Sequence, residues 1–476
     1  MQGAVCSVEA LRKTKTRADV APVQDAALAC AWPPREDAGL VERWLLRGAR
    51  PFPGLPDSAF EQPIFVARPG PGARLTQVNA VGERRPLAIT GPSARFILLN
   101  DPAGVKRVLV DRVSNYPKSA FERQALITLF GAGLLGADGE DWRSHRRIMA
   151  PAFHPGNIAG HALAMAGVSE AFRRRWDACA GQAVDVCEEM SLLAFQLITQ
   201  TMFSCEMREA DRFAEQTSAP GRQDNARHLG KSLRAFVDAL VAARRVRNSG
   251  DSNDLLDRLI GARTQDGDRL TDREIRDELI TVLVAGSETT AGAMAWVWYL
   301  LSQHPLQADL LHQELRVLLG GLSPRAEDLP NLVYTRQVIE ETLRLYPPAT
   351  GLATRVCLEE DEMCGVRIPA GAHVAIVPFV LHRHCRLWER PGRFDPERFS
   401  PEQRTKHRFS FLPFGAGPRI CIGHTLAINQ LVIALATLAQ SHRLHLEPGA
   451  RVRFVQGITL RPRGLRMIIG RRADGF

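Results

Sequence analysis

The stretch PFGAGPRICIGHTLAINQLVIALATLA, residues 413–439, sets three glycines and one cysteine ahead of a long apolar helix. An inert core cysteine has no use for such a loop. Gly415, Gly417 and Gly423 let the backbone turn tightly and bring its N–H groups close to a neighbouring atom. Pro418 stiffens the loop, and a helix expected to begin near Ile422 aims its positive end at Cys421, which favours thiolate over thiol. Donors around sulfur are what a thiolate ligating a metal requires. Arg419, two residues earlier, is in reach of a carboxylate on the same ligand.

The chain around this loop has 476 residues, 45% of them hydrophobic and 24% charged, enough apolar surface for a large core. Its 61 basic residues exceed 52 acidic ones, a net charge of +9. No basic run alternates with aromatics, so a nucleic-acid partner is not expected. The nine cysteines form no CxxC or CxxCH pair, which argues against a zinc ribbon, a c-type haem and a disulfide framework. Residues 1–45 mix charge, Ala and Pro and read as a disordered extension; their one apolar run, AALACAW (26–32), is too short for a signal sequence or an anchor. A cytoplasmic location is the expectation. LITVLVAGSETTAGAMAWVWYLL (279–301) passes a length test for a membrane helix. Glu288 in its middle is expensive in a bilayer, so a buried helix, with no membrane span, is the reading.

Strand-like pieces at RPLAIT (85–90) and RFILL (95–99) precede helical patterns over about 101–210 and a very helical middle. Thr271 and Glu274 stand at capping-box spacing before the long helix. A further helix over roughly 331–345 must stop at Pro347–Pro348. Short β runs follow at 355–359, 365–379 and 465–470. The fold class is mostly α, with a smaller β region assembled from distant segments.

The cysteine stretch resembles the haem-binding loop of the cytochrome P450 superfamily, Phe-x-x-Gly-x-x-x-Cys-x-Gly, through Phe414, Gly417, Cys421 and Gly423. Four more elements follow the family's order: WRSHRR (142–147), AGSETT (285–290), ETLR (341–344) and PERF (396–399). The resemblance runs from about residue 85 to the C-terminus and implies one catalytic domain over 46–476. It implies haem b (iron protoporphyrin IX) as cofactor with Cys421 as its metal ligand. It implies monooxygenation, in which one oxygen atom of O2 enters a lipophilic small molecule such as a fatty acid, terpenoid or steroid. Only 55 residues follow Cys421, so electrons are expected from a separate ferredoxin or flavodoxin with its NAD(P)H-dependent reductase. The alternatives are a peroxide-driven or isomerising haem-thiolate enzyme and a non-catalytic haem-binding protein.

Each element also has its own chemistry. Trp142 and Arg146, four apart on a helix, are donors suited to a carboxylate such as a haem propionate. By resemblance Arg355 is a further propionate ligand, with Phe414, Gly415, Arg419 and Gly423 completing the cofactor-binding set. Glu341 and Arg344 share a helix face, and the resemblance adds Arg398 to form a buried structural triad. Glu288 and Thr289 put an acid and an alcohol on an apolar helix, where the hydroxyl can hold dioxygen or water and the carboxyl can relay protons. Ala285, Ala349, Thr350, Leu352 and Ile458 are the substrate-pocket candidates. The segment 205–232, with SAPGRQDNARHLG (218–230) read as loop, suggests an abbreviated substrate lid. RTKHR (404–408) and WRSHRR suggest a basic face for an acidic redox partner.

Overall fold

The computed structural model describes residues 64–67, 74–78, 84–88, 96–205, 226–246, 254–263, 267–404 and 408–472. It is about 57% helical with small sheets. The expected N-terminal extension and most of the expected short lid lie outside the described residues. The chain divides into two compact units, each assembled from distant segments.

The first unit takes residues up to 119, 350–394 and 405–419. Its four-stranded sheet has the order Ile64–Ala67, Phe96–Leu99, His373–Ala375, Arg355–Val356. The two middle strands run parallel, with Phe96 opposite His373 and Leu98 opposite Ala375. Ile97, Leu99, Val105, Tyr116, Cys357, Val374 and Leu412 close the core around it. A buried polar knot stands at its edge: Asp361 accepts from Arg107 Nη2 at 2.6 Å and from the Tyr116 hydroxyl at 2.8 Å. The Arg107 guanidinium holds the Asp361 carboxyl down at about 2.

The second unit takes 120–349, 395–404 and 420–476. Its helices include α1 (Ala120–Phe130), α2 (Gly139–Met149), α3 (Ala162–Ala178), α4 (Val186–Phe203), α5 (Ala226–Val246), α6 (Asp272–Gln303), α7 (Val333–Leu345) and α8 (His424–Ser441). Strands β1 (Ala183–Asp185), β2 (His442–Leu446), β3 (Arg453–Gln456), β4 (Leu460–Arg463) and β5 (Arg466–Arg471) complete it, with β5 between β2 and β1 and a separate β3–β4 hairpin.

Helix α6 positions the chemistry. Thr271 and Glu274 close a full capping box at its start, satisfying two otherwise orphaned backbone donors. The helix is long and apolar enough to cross a membrane, but two thirds of its apolar window is buried inside the protein. It packs along α4, where a Cβ on Gly286 would come within 2.9 Å of Ile198 Cδ1. Helix α8 is buried on nearly every side from Leu426 to Gln440, as a helix apolar all round must be. Helix α7 ends at Leu345, ahead of the two prolines.

One sequence expectation is corrected. Ala226–Gly230, read as loop, form the first turn of α5. The glycine and asparagine around them suggested a break, but a single glycine in a helix costs only about 1 kcal/mol. The amphipathic run that follows outweighs it.

Candidate functional site

Cys421 lies in the second unit, just after the chain leaves the first one at Arg419. Cys421 is exposed, yet enough of the protein surrounds its thiol for burial to act on it. Burial pushes its pKa up, against the opposing pull of the Gly423 N–H and the Arg146 charge. The sequence suggested a thiolate favoured by a helix dipole. The helix begins at His424, with Gly423 in front of it. A bound cation reverses this balance, because a coordinating thiol is deprotonated outright.

The glycines of the loop have separate reasons. Gly415 and Gly417 adopt φ of 72° and 71°, where L side chains are strained. A Cβ on Gly417 would fall 2.0 Å from the Leu109 carbonyl oxygen, inside the first unit. No other residue fits there. Phe414 and Arg419 are half-buried in the same unit, and Leu352 packs on its core, 3.8 Å from where a Gly415 Cβ would lie. Arg355 is 6% exposed on the sheet-edge strand, and Thr350 is also buried.

Helix α2 is built by Asp138, whose side chain accepts from the Gly139 N–H, with Glu140 and Asp141 in the first turn and Arg146 and Arg147 in the last. That order complements the helix dipole. It delivers Arg146 Nη1 to the Ile420 carbonyl at 2.8 Å, one residue from the thiol. Trp142 stands one turn earlier on the same helix.

Glu341 and Arg344 are fully buried and joined by two hydrogen bonds of 2.6 and 2.8 Å. Arg398 Nε stands 3.6 Å from Glu341, and the Asp395 N–H donates to the same oxygen at 2.8 Å. The carboxylate is therefore satisfied from three directions, which a buried charge demands.

On α6 the Thr289 hydroxyl donates to the Ala285 carbonyl at 2.7 Å. Glu288 Oε1 accepts from the Thr459 hydroxyl at 2.8 Å and stands 3.1 Å from Arg461 Nε. The acid and the alcohol are neighbours in sequence but make different contacts. Ile458 projects from the hairpin tip, 45% exposed, and Ala349 is half-buried after α7. The partners of Glu288, 171 and 173 residues away, had no local signal in the sequence.

Haem fits this chemistry. Among the described residues no cluster of three or more His, Cys, Asp or Glu side chains could cage a metal ion. A metal on the single Cys421 thiolate must bring its other ligands with it, as a porphyrin does. Arg146 in the second unit, and separately Arg355 and Arg419 in the first, are donors without acceptor capacity, the chemistry that carboxylates on such a group call for.

The cytochrome P450 family model matches residues 88–219 and 219–468. Cyclooctatin synthase of Streptomyces melanosporofaciens is 35% identical over 395 residues, 77% of this chain and 84% of that protein. Cyclooctat-9-en-7-ol 5-monooxygenase of the same organism is 36% identical, over 75% and 82%. Pentalenene oxygenase of Streptomyces avermitilis is 32% identical, over 87% and 99%. Among solved structures, the cytochrome P450DA heme domain superposes with a TM-score of 0.71 at 27% identity, over 81% of this chain and 89% of that one. With the open thiol, its arginine and the buried ExxR pair already in place, the matches lead to one conclusion: this chain belongs to the cytochrome P450 family, as a monooxygenase whose cofactor is haem b.

Proposed function

We propose that this monooxygenase oxidises a cyclic terpenoid hydrocarbon or alcohol, with electrons from a separate ferredoxin or flavodoxin and its NAD(P)H-dependent reductase, in the cytoplasm. The substrate class rests on one observation: the three bacterial relatives above are named for cyclooctatin, cyclooctat-9-en-7-ol and pentalenene. The small or apolar pocket candidates, Ala285, Ala349, Leu352 and Ile458, agree with a ligand that offers few hydrogen-bonding groups.

The overall reaction consumes substrate, O2, two electrons and two protons, and yields the hydroxylated substrate and water. Bound haem supplies the redox chemistry, its thiolate ligand favouring O–O cleavage. Arg146 holds the loop before Cys421 in place. Thr289 presents its hydroxyl from α6, and Glu288 supplies a carboxyl able to take up and pass on protons.

The test is a spectral titration of the ferric protein with pentalenene, cyclooctat-9-en-7-ol, dodecanoic acid and progesterone, followed by turnover under isotopically labelled O2. The expected result is tight binding and single-oxygen incorporation for a terpenoid. Binding and oxygenation of the fatty acid or steroid alone would overturn the substrate assignment.

A further inference from the structure

Three residues on one face of α6, Glu288, Gly292 and Trp296, stand four apart and meet consecutive residues of the β3–β4 hairpin. Glu288 takes Thr459 and Arg461. Gly292 faces the hairpin at ordinary contact distance: a Cβ there would lie 3.5 Å from the Leu460 carbonyl oxygen. Trp296 Nε1 donates to that same carbonyl at 3.1 Å. On the other side, the Leu460 N–H donates to the Pro348 carbonyl at 2.9 Å. The hairpin backbone is thus clamped between α6 and the segment after α7.

With the backbone held at Leu460, Arg461 has little to add in stability. Its side chain is 49% exposed, and exposed ion pairs contribute little to stability. What it fixes is direction. Thr459, itself buried, donates its hydroxyl to Oε1 of Glu288, and the Arg461 guanidinium stands beside the same oxygen. The carboxylate is therefore held to the hairpin through Oε1 by two side chains two residues apart.

We propose that Arg461 and Thr459 are positioning residues for Glu288: they orient its carboxylate for proton transfer and tie that orientation to the hairpin bearing Ile458. A ligand that presses on the hairpin tip then shifts the acid as well. This rests on the proton-handling role given to Glu288 above, but not on the identity of the substrate.

The test is a double-mutant cycle on the holoprotein with two readouts. The first is hydrogen–deuterium exchange over residues 453–463. Arg461→Ala and Glu288→Gln should each speed exchange by about 2- to 5-fold, and the double variant no more than either alone. Independent, multiplying effects, or no change, would overturn the tether. The second is the share of NADPH electrons recovered as hydrogen peroxide, with a plant-type ferredoxin and its reductase and no added substrate. Arg461→Ala should raise that share at least about 2-fold, Arg461→Lys should restore it, and Arg461→Ala should add nothing in a Glu288→Gln background. Thr459→Val, which removes only a hydroxyl, should act in the same direction. A loosened hairpin with an unchanged peroxide share would make the tether purely structural and overturn the positioning role. Failure to oxidise any terpenoid would leave both readouts intact and would bear only on the substrate.

Discussion

Glu278, almost fully buried on α6, accepts the backbone N–H of Leu134 at 3.0 Å through Oε2, and its other oxygen meets His145 Nδ1 on α2. Its neighbour Asp277 accepts from Ala132 N–H at 3.0 Å. Two adjacent acids on the long helix therefore pin the glycine-rich loop between α1 and α2. The loop packs so closely that a Cβ on Gly133 would lie 2.9 Å from the Asp277 carbonyl oxygen.

This geometry makes the anchor pH-dependent. Glu278 raises the pKa of His145, first by hydrogen bonding and then by charge, against burial; Asp141 and Glu274 add in the same direction. A raised pKa means that the stabilisation is fully present below the unfolded value of about 6.5 and is lost as pH rises through the folded value. A hydrogen bond to a charged group is worth about 1.5–3 kcal/mol. Thermal unfolding of wild type and His145→Gln, followed from pH 5 to 9, should therefore differ most below about pH 6.5, and the gap should narrow as pH rises above it. A gap that is constant across that range would remove His145 as the titrating group.

The Glu341–Arg344 pair should behave as scaffold. Removing one partner of a buried pair costs about 3–5 kcal/mol, because the other charge is stranded. Arg344→Ala and Glu341→Gln should both lower the unfolding temperature sharply and reduce haem retention during purification. Arg344→Lys should rescue little, since an ammonium cannot reproduce the two-point contact with Glu341. Near-wild-type unfolding of Arg344→Ala would show that the pair is dispensable.

Cys421 supplies the sharpest spectroscopic test. The reduced protein with carbon monoxide should show the red-shifted Soret band of thiolate ligation, and Cys421→His should lose it while still binding haem. Retention of the band in Cys421→His would move the ligand elsewhere.

How much of this was legible in the sequence depends on the range of the interaction. The Cys421 loop, the Glu341–Arg344 pair and the Thr271–Glu274 cap are local patterns, readable from spacing because their partners lie within a few residues. Arg398 came only with the family resemblance. The contacts of Glu288 with Thr459 and Arg461, and of Glu278 with Leu134 and His145, join segments more than 130 residues apart. No periodicity encodes such pairs. Gly286 shows the same limit: its close neighbour is Ile198 on α4, far away in the sequence. The start of α5 at Ala226 was hidden by glycine and asparagine, whose local preference yielded to the amphipathic run behind them.

The sequence drew a basic docking face from Arg404, Lys406, Arg408, Arg143 and Arg147, and the structure sorts its members. Lys406 lies outside the described residues. Arg404 is engaged by Glu340, and Arg143 by Glu140 three residues earlier on α2. Arg147 is exposed and has no carboxylate partner among the described residues. It follows Arg146, whose guanidinium touches the residue before Cys421, on the same helix α2. An acidic redox protein would feel Arg147 more than the locally compensated Arg143. Steering by exposed charge acts on association rate and fades with salt, the screening length falling to about 8 Å at physiological ionic strength. Arg147→Glu should therefore slow reduction by a ferredoxin several-fold at low salt, with a smaller effect at 0.5 M salt and unchanged affinity for 4-phenylimidazole. Arg143→Glu should have the weaker effect, and Glu140→Gln should slightly accelerate reduction by releasing Arg143. Equal reduction rates for wild type and Arg147→Glu across that salt range would place the docking face elsewhere.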